Sequence, residues 1–309
     1  MIKVTDIAYA KFTAPDLDIM ESFLIDFGLV RSARTETALY MRAAGPEHHV
    51  HITELGDPAF IGLGFHASSV EDLRTLSQAE GASEVEEVDG PGGGQVVRLV
   101  DPDGFDVDVI HGMSPLPPHS IANSFFLNAA SRHDRKGEFL RLEKGPAQCI
   151  RLGHAVINVT DFKRSDTFYK SHFGFLNSDV CYDGEDKDNI LVAFNRVDRG
   201  DDYVDHHTLL TAPGPDNKPG LGHIAFEVED INAIHIGQEF LRAKNYDHSW
   251  GIGRHILGAQ IFDYWFDPFG NRIEHWTDGD LLNADSPTGV HRYDQRFATQ
   301  WGVTEDQRK

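Results

Sequence analysis

The chain has 309 residues, with 28 Lys and Arg against 49 Asp and Glu, so its formal net charge is −21 at neutral pH. This charge argues against binding to nucleic acid or to an anionic membrane surface. The hydrophobic fraction of 40% is that of a globular protein, and the length favours two domains of about 140 residues each.

Cysteine content and the absence of long apolar runs indicate the compartment. The chain has 2 cysteines, Cys149 and Cys181, which excludes a disulfide framework. The first residues lack the apolar core of a signal peptide, and no run approaches the length of a membrane span. We therefore expect a cytoplasmic protein with no membrane partner.

Two halves of the chain show the same order of elements, which predicts an internal repeat. A strand at 7–12 leads to Asp16 and a helix, and a strand at 152–157 leads to Asp161 and a helix that reaches Phe173. Near the end of each half, Asp-Pro-x-Gly predicts a tight turn between two strands. The pattern predicts an α+β fold of two domains, each made of paired βαβββ modules whose sheet curls around a cleft.

Three residues in the second half have the chemistry of a metal site: His154, His223 and Glu274. Each falls on a different predicted strand, and both histidines follow Leu-Gly and precede apolar residues. Two imidazoles and one carboxylate form the facial triad that holds Fe(II) and leaves coordination positions open. A lone histidine among the 17 of this chain is more often a structural residue; the equivalent positions in repeated modules favour the metal site.

The first half lacks this set of ligands. Alignment of the halves places Tyr9, Phe65 and Asp108 where the second half has its triad, and Phe has no ligand atom. Three nearby histidines, His48, His49 and His51, are expected at the surface.

These patterns divide the chain into three parts. We expect an N-terminal metal-free domain at 1–135, a C-terminal metal-binding catalytic domain at 146–282 and a tail at 283–309. The tail mixes aromatic and cationic residues. It is either an ordered surface segment or a lid over the cleft, where Arg292, Arg296 or Trp301 could influence substrate choice.

The region between the second histidine and Glu274 resembles a known fingerprint. It contains Gly253-x-His255, then Tyr264-x-x-Asp-Pro-x-Gly, and it closes with Glu274. This pattern is similar to that of the type I extradiol ring-cleavage (catechol) dioxygenases of the vicinal oxygen chelate superfamily, which share the glyoxalase-like fold.

The resemblance implies a function and a set of site residues. The triad would bind Fe(II), or Mn(II) in a minority of members, with O₂ as co-substrate in the degradation of aromatic compounds. His255 and Tyr264 would hydrogen-bond the catechol oxygens, and an acid–base histidine would come from the pair His206 and His207. Strand alternation allows only one of this pair to reach the cleft, and the family pattern favours His206. The family habit is a homo-oligomer, often a tetramer.

Two other functions use the same fold. A glyoxalase-like lyase or isomerase needs a fourth protein ligand, usually a second carboxylate, and none stands at the matching place. A small-molecule-binding resistance protein needs neither the triad nor the His255–Tyr264 pair. We therefore expect extradiol cleavage. If Val156 and Trp250 line the pocket, its apolar wall favours alkyl- or aryl-substituted catechols, or trihydroxybenzenes, over carboxylated ones.

Overall fold

The computed structural model describes residues 1–304 of the chain, in which each half contains two βαβββ modules. The predicted α+β fold with paired modules is confirmed. The elements of the first half are β1 (Val4–Ala14), α1 (Leu17–Phe27), β2 (Val30–Arg34), β3 (Ala38–Arg42), β4 (His51–Leu55), β5 (Ala59–Ala67), α2 (Val70–Leu76), β6 (Glu86–Glu87), β7 (Gln95–Val100) and β8 (Asp106–His111).

The second half has the same order of elements with one additional short strand. Its elements are β9 (Arg151–Val159), α3 (Phe162–Phe173), β10 (Leu176–Tyr182), β11 (Ile190–Arg196), β12 (Val204–Asp205), β13 (Leu209–Pro213), β14 (Gly220–Glu227), α4 (Ile231–Ala243), β15 (His248–His255), β16 (Ile261–Phe266) and β17 (Arg272–Thr277). The tail contributes β18 (Leu281–Leu282), β19 (Gly289–Arg292) and β20 (Thr299–Trp301), and 3₁₀ turns cover Pro215–Asn217 and Tyr293–Phe297.

Short polar residues set the beginning of the helices. The side chain of Asp161 accepts a hydrogen bond from the backbone N–H of Arg164, which caps the first turn of α3. Asp16 caps α1 in the same way. The helix predicted after Asp161 is therefore confirmed, and it ends at Gly174, whose φ of 70° is the left-handed conformation favoured at helix ends.

The two Asp-Pro-x-Gly sequences form the same turn in both halves. Asp101 Oδ1 accepts hydrogen bonds from the backbone N–H groups of Asp103 and Phe105, each at 2.9 Å. Asp267 Oδ1 accepts them from Phe269 and Asn271. Each turn connects the last two strands of its half, as predicted, and so sets where β8 and β17 begin.

Each half forms one mixed sheet. The first sheet has the order β2-β3-β4-β1-β5-β8-β7-β6, and the second has the order β19-β10-β11-β13-β9-β14-β17-β16-β15-β20. The largest cluster of buried apolar residues draws members from both halves. Phe27 of α1, for example, stacks on His275 of β17 with ring centroids 3.8 Å apart. The position of β17 is thus fixed by packing from both halves.

The described part of the tail adds to both edges of the second sheet. β19 pairs in parallel with β10 at one edge, and β20 pairs antiparallel with β15 at the other. The 3₁₀ turn between them crosses from edge to edge. Of the expected tail at 283–309, residues 305–309 lie outside the described residues. None of the described helices is long and apolar enough to cross a membrane.

The expected surface position is wrong for two of the three histidines near the start of β4. His49 and His51 are 3% and 2% exposed, and His51 stacks on Phe12 at 4.7 Å. His49 lies against the rings of Tyr9 and Tyr40, with centroids 5.3 and 5.2 Å apart, so both histidines pack against aromatic residues of the neighbouring strands. Burial lowers the pKa of both imidazoles to about 3.

His51→Gln should make the metal-free protein less sensitive to acid. The folded chain holds the pKa of His51 at about 3 because the ring is buried, whereas the ordinary value is 6.5. The unfolded chain therefore binds a proton that the folded chain does not, and stability present above pH 6.5 is lost as the pH falls toward 3. Removing the ring should lower the slope of the unfolding free energy against pH by up to about 1.4 kcal/mol per pH unit, as measured by urea titrations.

The matched control is His133→Gln, which changes an exposed histidine. Its slope should equal that of the unsubstituted chain. A slope in His51→Gln that is also unchanged would show that His51 does not titrate differently in the two states.

Candidate metal centre

Three neighbouring strands at the middle of the second sheet deliver His154, His223 and Glu274. Strand β14 lies between β9 and β17, and its Ala225 pairs with His154 on one side and with Glu274 on the other. His223 lies two residues earlier on β14, after a register shift that follows Leu221. The register thus turns all three side chains to one place.

The three ligand atoms are at distances suited to one cation. His154 Nε2 and His223 Nε2 are 3.4 Å apart, and Glu274 Oε2 lies 3.3 Å from the first and 3.1 Å from the second. Donor atoms at right angles around an ion, each about 2.1 Å from it, are separated by about 3 Å. Among residues 1–304, this is the one group of three or more His, Cys, Asp or Glu side chains that could hold a metal ion.

Burial and charge also fit a metal. Glu274 is fully buried, and its Oε1 has no hydrogen-bond partner among the described residues. Burial by itself would raise the pKa of Glu274, but the contacts with His154 and His223 lower it, so the carboxylate is ionised. Burial lowers the pKa of His223 and keeps its imidazole neutral. A buried carboxylate beside two imidazole nitrogens is a donor set that fits a divalent cation.

His255 and Tyr264 lie beside the triad, on β15 and β16. His255 Nε2 and the Tyr264 hydroxyl form a hydrogen bond of 3.0 Å, and the rings of Tyr264 and His223 are 5.0 Å apart. Trp250 stacks almost parallel on Tyr264, which fixes the direction of its hydroxyl. Burial lowers the pKa of His255 to about 3, so this imidazole is neutral.

The structure places His207, and not His206, on the wall of the same cavity. The His207 ring lies 4.2 Å from that of His154, whereas His206 points to Asp179, with 2.7 Å between Nε2 and Oδ2. The sequence analysis favoured His206 from the family pattern. The chain bends before β13 begins at Leu209, and this bend turns His207 toward the cavity.

A cavity of about 880 Å³ opens in front of the two histidine ligands. Its walls are mostly apolar and include Val156, Phe194, Leu210, Trp250, Leu257 and Phe266. Phe60 and Phe105 of the first half also contribute, as do Arg296 and Phe297 of the tail. The part played by Phe60 and Phe105 could not be seen in the sequence, since nothing local shows that one half reaches the cleft of the other.

The tail therefore contributes to the cavity through one of the three residues considered from the sequence. Arg296 lines the cavity and stacks over Tyr293 and Phe297, about 4 Å from each ring. Arg292 lies on β19 and Trp301 on β20, outside the cavity lining.

The corresponding place in the first half is built differently, and one aligned position was wrong. Tyr9 pairs with Gly64 and Gly64 with Asp108, just as His154 pairs with Ala225 and Ala225 with Glu274. The counterpart of His223 is therefore Gly62 and not Phe65, which packs in the core.

The wrong alignment matched Gly-Leu-Gly at 62–64 with 220–222, together with the tripeptide Val-Glu-Asp that follows in both halves. In the first half its Val70 opens helix α2 after the cap Ser69, whereas in the second half its Asp230 is itself the cap of α4. The same tripeptide therefore lies at a different position relative to the start of the helix in each half.

A lysine lies beside the buried carboxylate in the first half. Lys11 Nζ lies 3.3 Å from Asp108 Oδ2, and the Tyr9 hydroxyl donates to the same oxygen at 2.9 Å. Glycine at position 62 has no ligand atom. The buried carboxylate of Asp108 is therefore balanced by an ammonium group and a hydroxyl.

Comparisons with known proteins agree with this fold. Residues 151–275 match the model of the Glyoxalase/Bleomycin resistance protein/Dioxygenase superfamily. Metapyrocatechase 2 of Cupriavidus necator is 29% identical over 97% of this chain and 89% of its own.

Solved structures show the same architecture over nearly the whole chain. The Mn(II)-bound glyoxalase from Novosphingobium aromaticivorans superposes with a TM-score of 0.79 at 24% identity, covering 98% of this chain and 92% of the other. Homoprotocatechuate 2,3-dioxygenase from Brevibacterium fuscum, solved with 3,4-dihydroxyphenylacetate, gives 0.76 at 21% identity, covering 96% and 88%. At these identities the likeness establishes the fold.

Glu274→Gln should abolish tight metal binding, while Asp108→Asn should leave it intact. Removing the only anionic ligand should raise the dissociation constant more than about 100-fold, since even residues that merely support ligands contribute 10–100-fold. The measurement is a Mn(II) titration in which the free ion is followed by electron paramagnetic resonance. The unsubstituted chain and Asp108→Asn should each bind one ion per chain.

The pair is matched because both changes remove the charge of a buried carboxylate at equivalent strand positions. Retention of tight binding in Glu274→Gln, or its loss in Asp108→Asn, would place the metal elsewhere.

Proposed function

We propose that this chain, a member of the glyoxalase/bleomycin resistance protein/dioxygenase superfamily, is an extradiol ring-cleavage dioxygenase that opens catechol-type aromatics with a bound metal ion and O₂. The observation that carries the proposal is the open side of the His154, His223 and Glu274 group, which faces a cavity lined by His207, His255 and Tyr264. The similarity to a metapyrocatechase over nearly the whole chain supports it.

In this proposal the metal ion is Fe(II), with Mn(II) as the alternative, and His154, His223 and Glu274 are its ligands. When bound, it brings the two catechol oxygens and O₂ together and polarises them. A triad of protein ligands leaves room for these reactants. The choice of iron rests on the family resemblance and on the triad chemistry.

The protein residues orient the substrate and handle its protons. In this proposal the neutral His255 and the Tyr264 hydroxyl hydrogen-bond the two catechol oxygens, as the family resemblance implies. His207 is the acid–base residue: burial foremost, then the neighbouring imidazoles, lowers its pKa well below the ordinary range, so the ring is neutral and can accept a proton from the substrate and return it. The apolar walls hold the ring and exclude water.

The cavity also favours a class of substrate. A space of about 880 Å³ exceeds what one unsubstituted catechol fills, and its lining is largely aromatic and aliphatic. Arg296 lies against aromatic faces. We therefore propose alkyl- or aryl-substituted catechols, or trihydroxybenzenes, as better substrates than carboxylated catechols, in the breakdown of aromatic compounds.

A glyoxalase-like lyase or isomerase is the alternative, because a glyoxalase is among the solved structures with this fold. Within residues 1–304, the candidate ligand group contains one carboxylate, and the cavity contains the His255–Tyr264 pair to which the family resemblance assigns the catechol oxygens. A cytoplasmic homo-oligomer, most simply a tetramer, completes the proposal and rests on the family resemblance.

The deciding experiment is oxygen uptake by protein reconstituted anaerobically with Fe(II) and given a panel of catechols. We expect one O₂ consumed per catechol and a yellow ring-opened product, with higher kcat/KM for alkyl- and aryl-substituted catechols. Tight binding of one metal ion per chain without oxygen uptake on any catechol would contradict ring cleavage and favour the lyase or isomerase.

His207→Asn should abolish turnover without loss of metal or substrate. Because general acid–base groups contribute about 10²–10⁴-fold, kcat should fall by that factor while metal content and the dissociation constant of an anaerobically bound catechol stay the same. The control is His235→Asn, which changes an exposed histidine of α4. Full activity of His207→Asn would remove this residue from the mechanism.

A further inference from the structure

A chain of hydrogen-bonded side chains leads from the cavity wall toward the surface. His207 Nδ1 and His206 Nδ1 are 3.1 Å apart, and His206 Nε2 lies 2.7 Å from Asp179 Oδ2. The other oxygen, Asp179 Oδ1, lies 2.8 Å from Nε2 of His291, on tail strand β19. His206 and His207 are buried, whereas the side chain of His291 is 32% exposed.

The carboxylate of Asp179 determines which nitrogen carries each proton. Burial would raise the pKa of Asp179, but hydrogen bonds from His206 and His291 lower it, so the group is ionised and only accepts. His206 must then donate from Nε2. A neutral imidazole has one N–H, which leaves His206 Nδ1 as an acceptor.

The tautomer of His206 in turn determines the tautomer of His207. Because His206 Nδ1 accepts, the hydrogen bond between the two rings requires that His207 donate from its own Nδ1. Nε2 of His207 is then left with a free lone pair. Since Nδ1 is turned to His206, Nε2 is the ring nitrogen available to the cavity.

The His206 ring is enclosed by two other rings. It lies against Phe194, with centroids 5.4 Å apart, and edge-on to His207. His291 supplies a second donor to Asp179 from the more exposed side. The carboxylate therefore does not depend on a positive charge at His206.

The rings are also held tightly in place. The backbone N–H of His206 donates to the carbonyl of Asp280 at 3.0 Å. A Cβ at Gly258, which has φ of +78°, would lie 2.9 Å from His206 Nδ1, and a Cβ at Gly289 would lie 2.0 Å from Asp179 Oδ1. Glycine at both positions permits the close approach that the chain of hydrogen bonds needs.

We infer that Asp179 and His206 are positioning residues that fix the tautomer of His207, so that its Nε2 faces the cavity as a bare proton acceptor. The catalytic consequence rests on the proposed function, whereas the tautomers are a property of the folded chain. The consecutive histidines thus have separate tasks: His207 contacts the cavity, and His206 sets its protonation.

The first test is a two-dimensional ¹H–¹⁵N spectrum of the full-length chain labelled with ¹⁵N-histidine and loaded with diamagnetic Zn(II). Two-bond correlations distinguish the tautomers, and the His206→Asn and His207→Asn variants identify the two rings. We expect His206 protonated on Nε2 and His207 on Nδ1. A doubly protonated His206, or a His207 protonated on Nε2, would overturn the inference whether or not the protein cleaves catechols.

The second test compares a change at Asp179, inside the chain of hydrogen bonds, with a change at His291, its outer end. Asp179→Leu is close to isosteric and removes the acceptor of the hydrogen bond from His206 Nε2. The tautomer of His206 with its proton on Nε2 is then no longer favoured, and the tautomer of His207 should reverse. We expect kcat to fall about 10²–10⁴-fold, as when tautomer control by a carboxylate is lost in the Ser-His-Asp triad, with KM changed less than about threefold. His291→Gln keeps a donor to Asp179, so its tautomers and kcat should resemble those of the unsubstituted enzyme.

A purely structural role for Asp179, as an anchor of the tail strand, predicts a different result. In that case His291→Ala would cost as much kcat as Asp179→Leu, and the His207 tautomer would not change in either. Should Asp179→Leu fail to fold, Asp179→Asn preserves size and polarity, with Asp101→Asn as a matched change of a buried carboxylate that bonds Tyr169 in the other half. An unchanged kcat in Asp179→Asn together with an unchanged tautomer ratio would count against tautomer control.

Discussion

The second half of this chain depends on one electrostatic constraint: a fully buried carboxylate, Glu274, at the centre of a ten-stranded sheet. An anion in that position destabilises the fold unless opposite charge or strong donors surround it. The strand register places Nε2 of two imidazoles within 3.3 Å of it, and these contacts lower the pKa of Glu274 against the effect of burial. In the proposed metal site a bound cation would neutralise this carboxylate, so strands β9, β14 and β17 would both bury Glu274 and set the ligand geometry.

The first half neutralises a buried carboxylate in a different way, although its strands have the same arrangement. Asp108 occupies the position of Glu274, but Tyr9 replaces the first histidine, and Gly62 replaces the second. Lys11, which corresponds to Val156, brings an ammonium group to the carboxylate. A covalently attached cation is always present, so this half needs no metal ion. The fold requires that the carboxylate at this position be neutralised. The proposed chemistry requires, in addition, an exchangeable cation with open coordination positions.

Local patterns in the sequence were sufficient for part of this picture. Asp-Pro-x-Gly and the capping residues Asp16 and Asp161 act through hydrogen bonds within a few residues, so the turns, helices and module order could be predicted. Two failures depend on local backbone geometry that the residue types alone do not show. The bend before β13 turns His207, and not His206, to the cavity, and the helices after β5 and β14 begin at different points relative to Val-Glu-Asp, so Phe65 is not the counterpart of His223. Burial of His49 and His51 likewise follows from the neighbours of β4, which the sequence does not show.

The bend before β13 also allows the rings of the adjacent His206 and His207 to form a hydrogen bond with each other. On a regular strand, neighbouring side chains point to opposite faces and their rings cannot meet. Here the irregular backbone before Leu209 turns one ring into the cavity and the other toward Asp179 while their Nδ1 atoms stay within hydrogen-bonding distance. Asp179 belongs to β10, the edge strand to which the tail adds β19. The tail therefore does more than line the cavity with Arg296: through His291 it completes the surroundings of the carboxylate that orients the proton on His207.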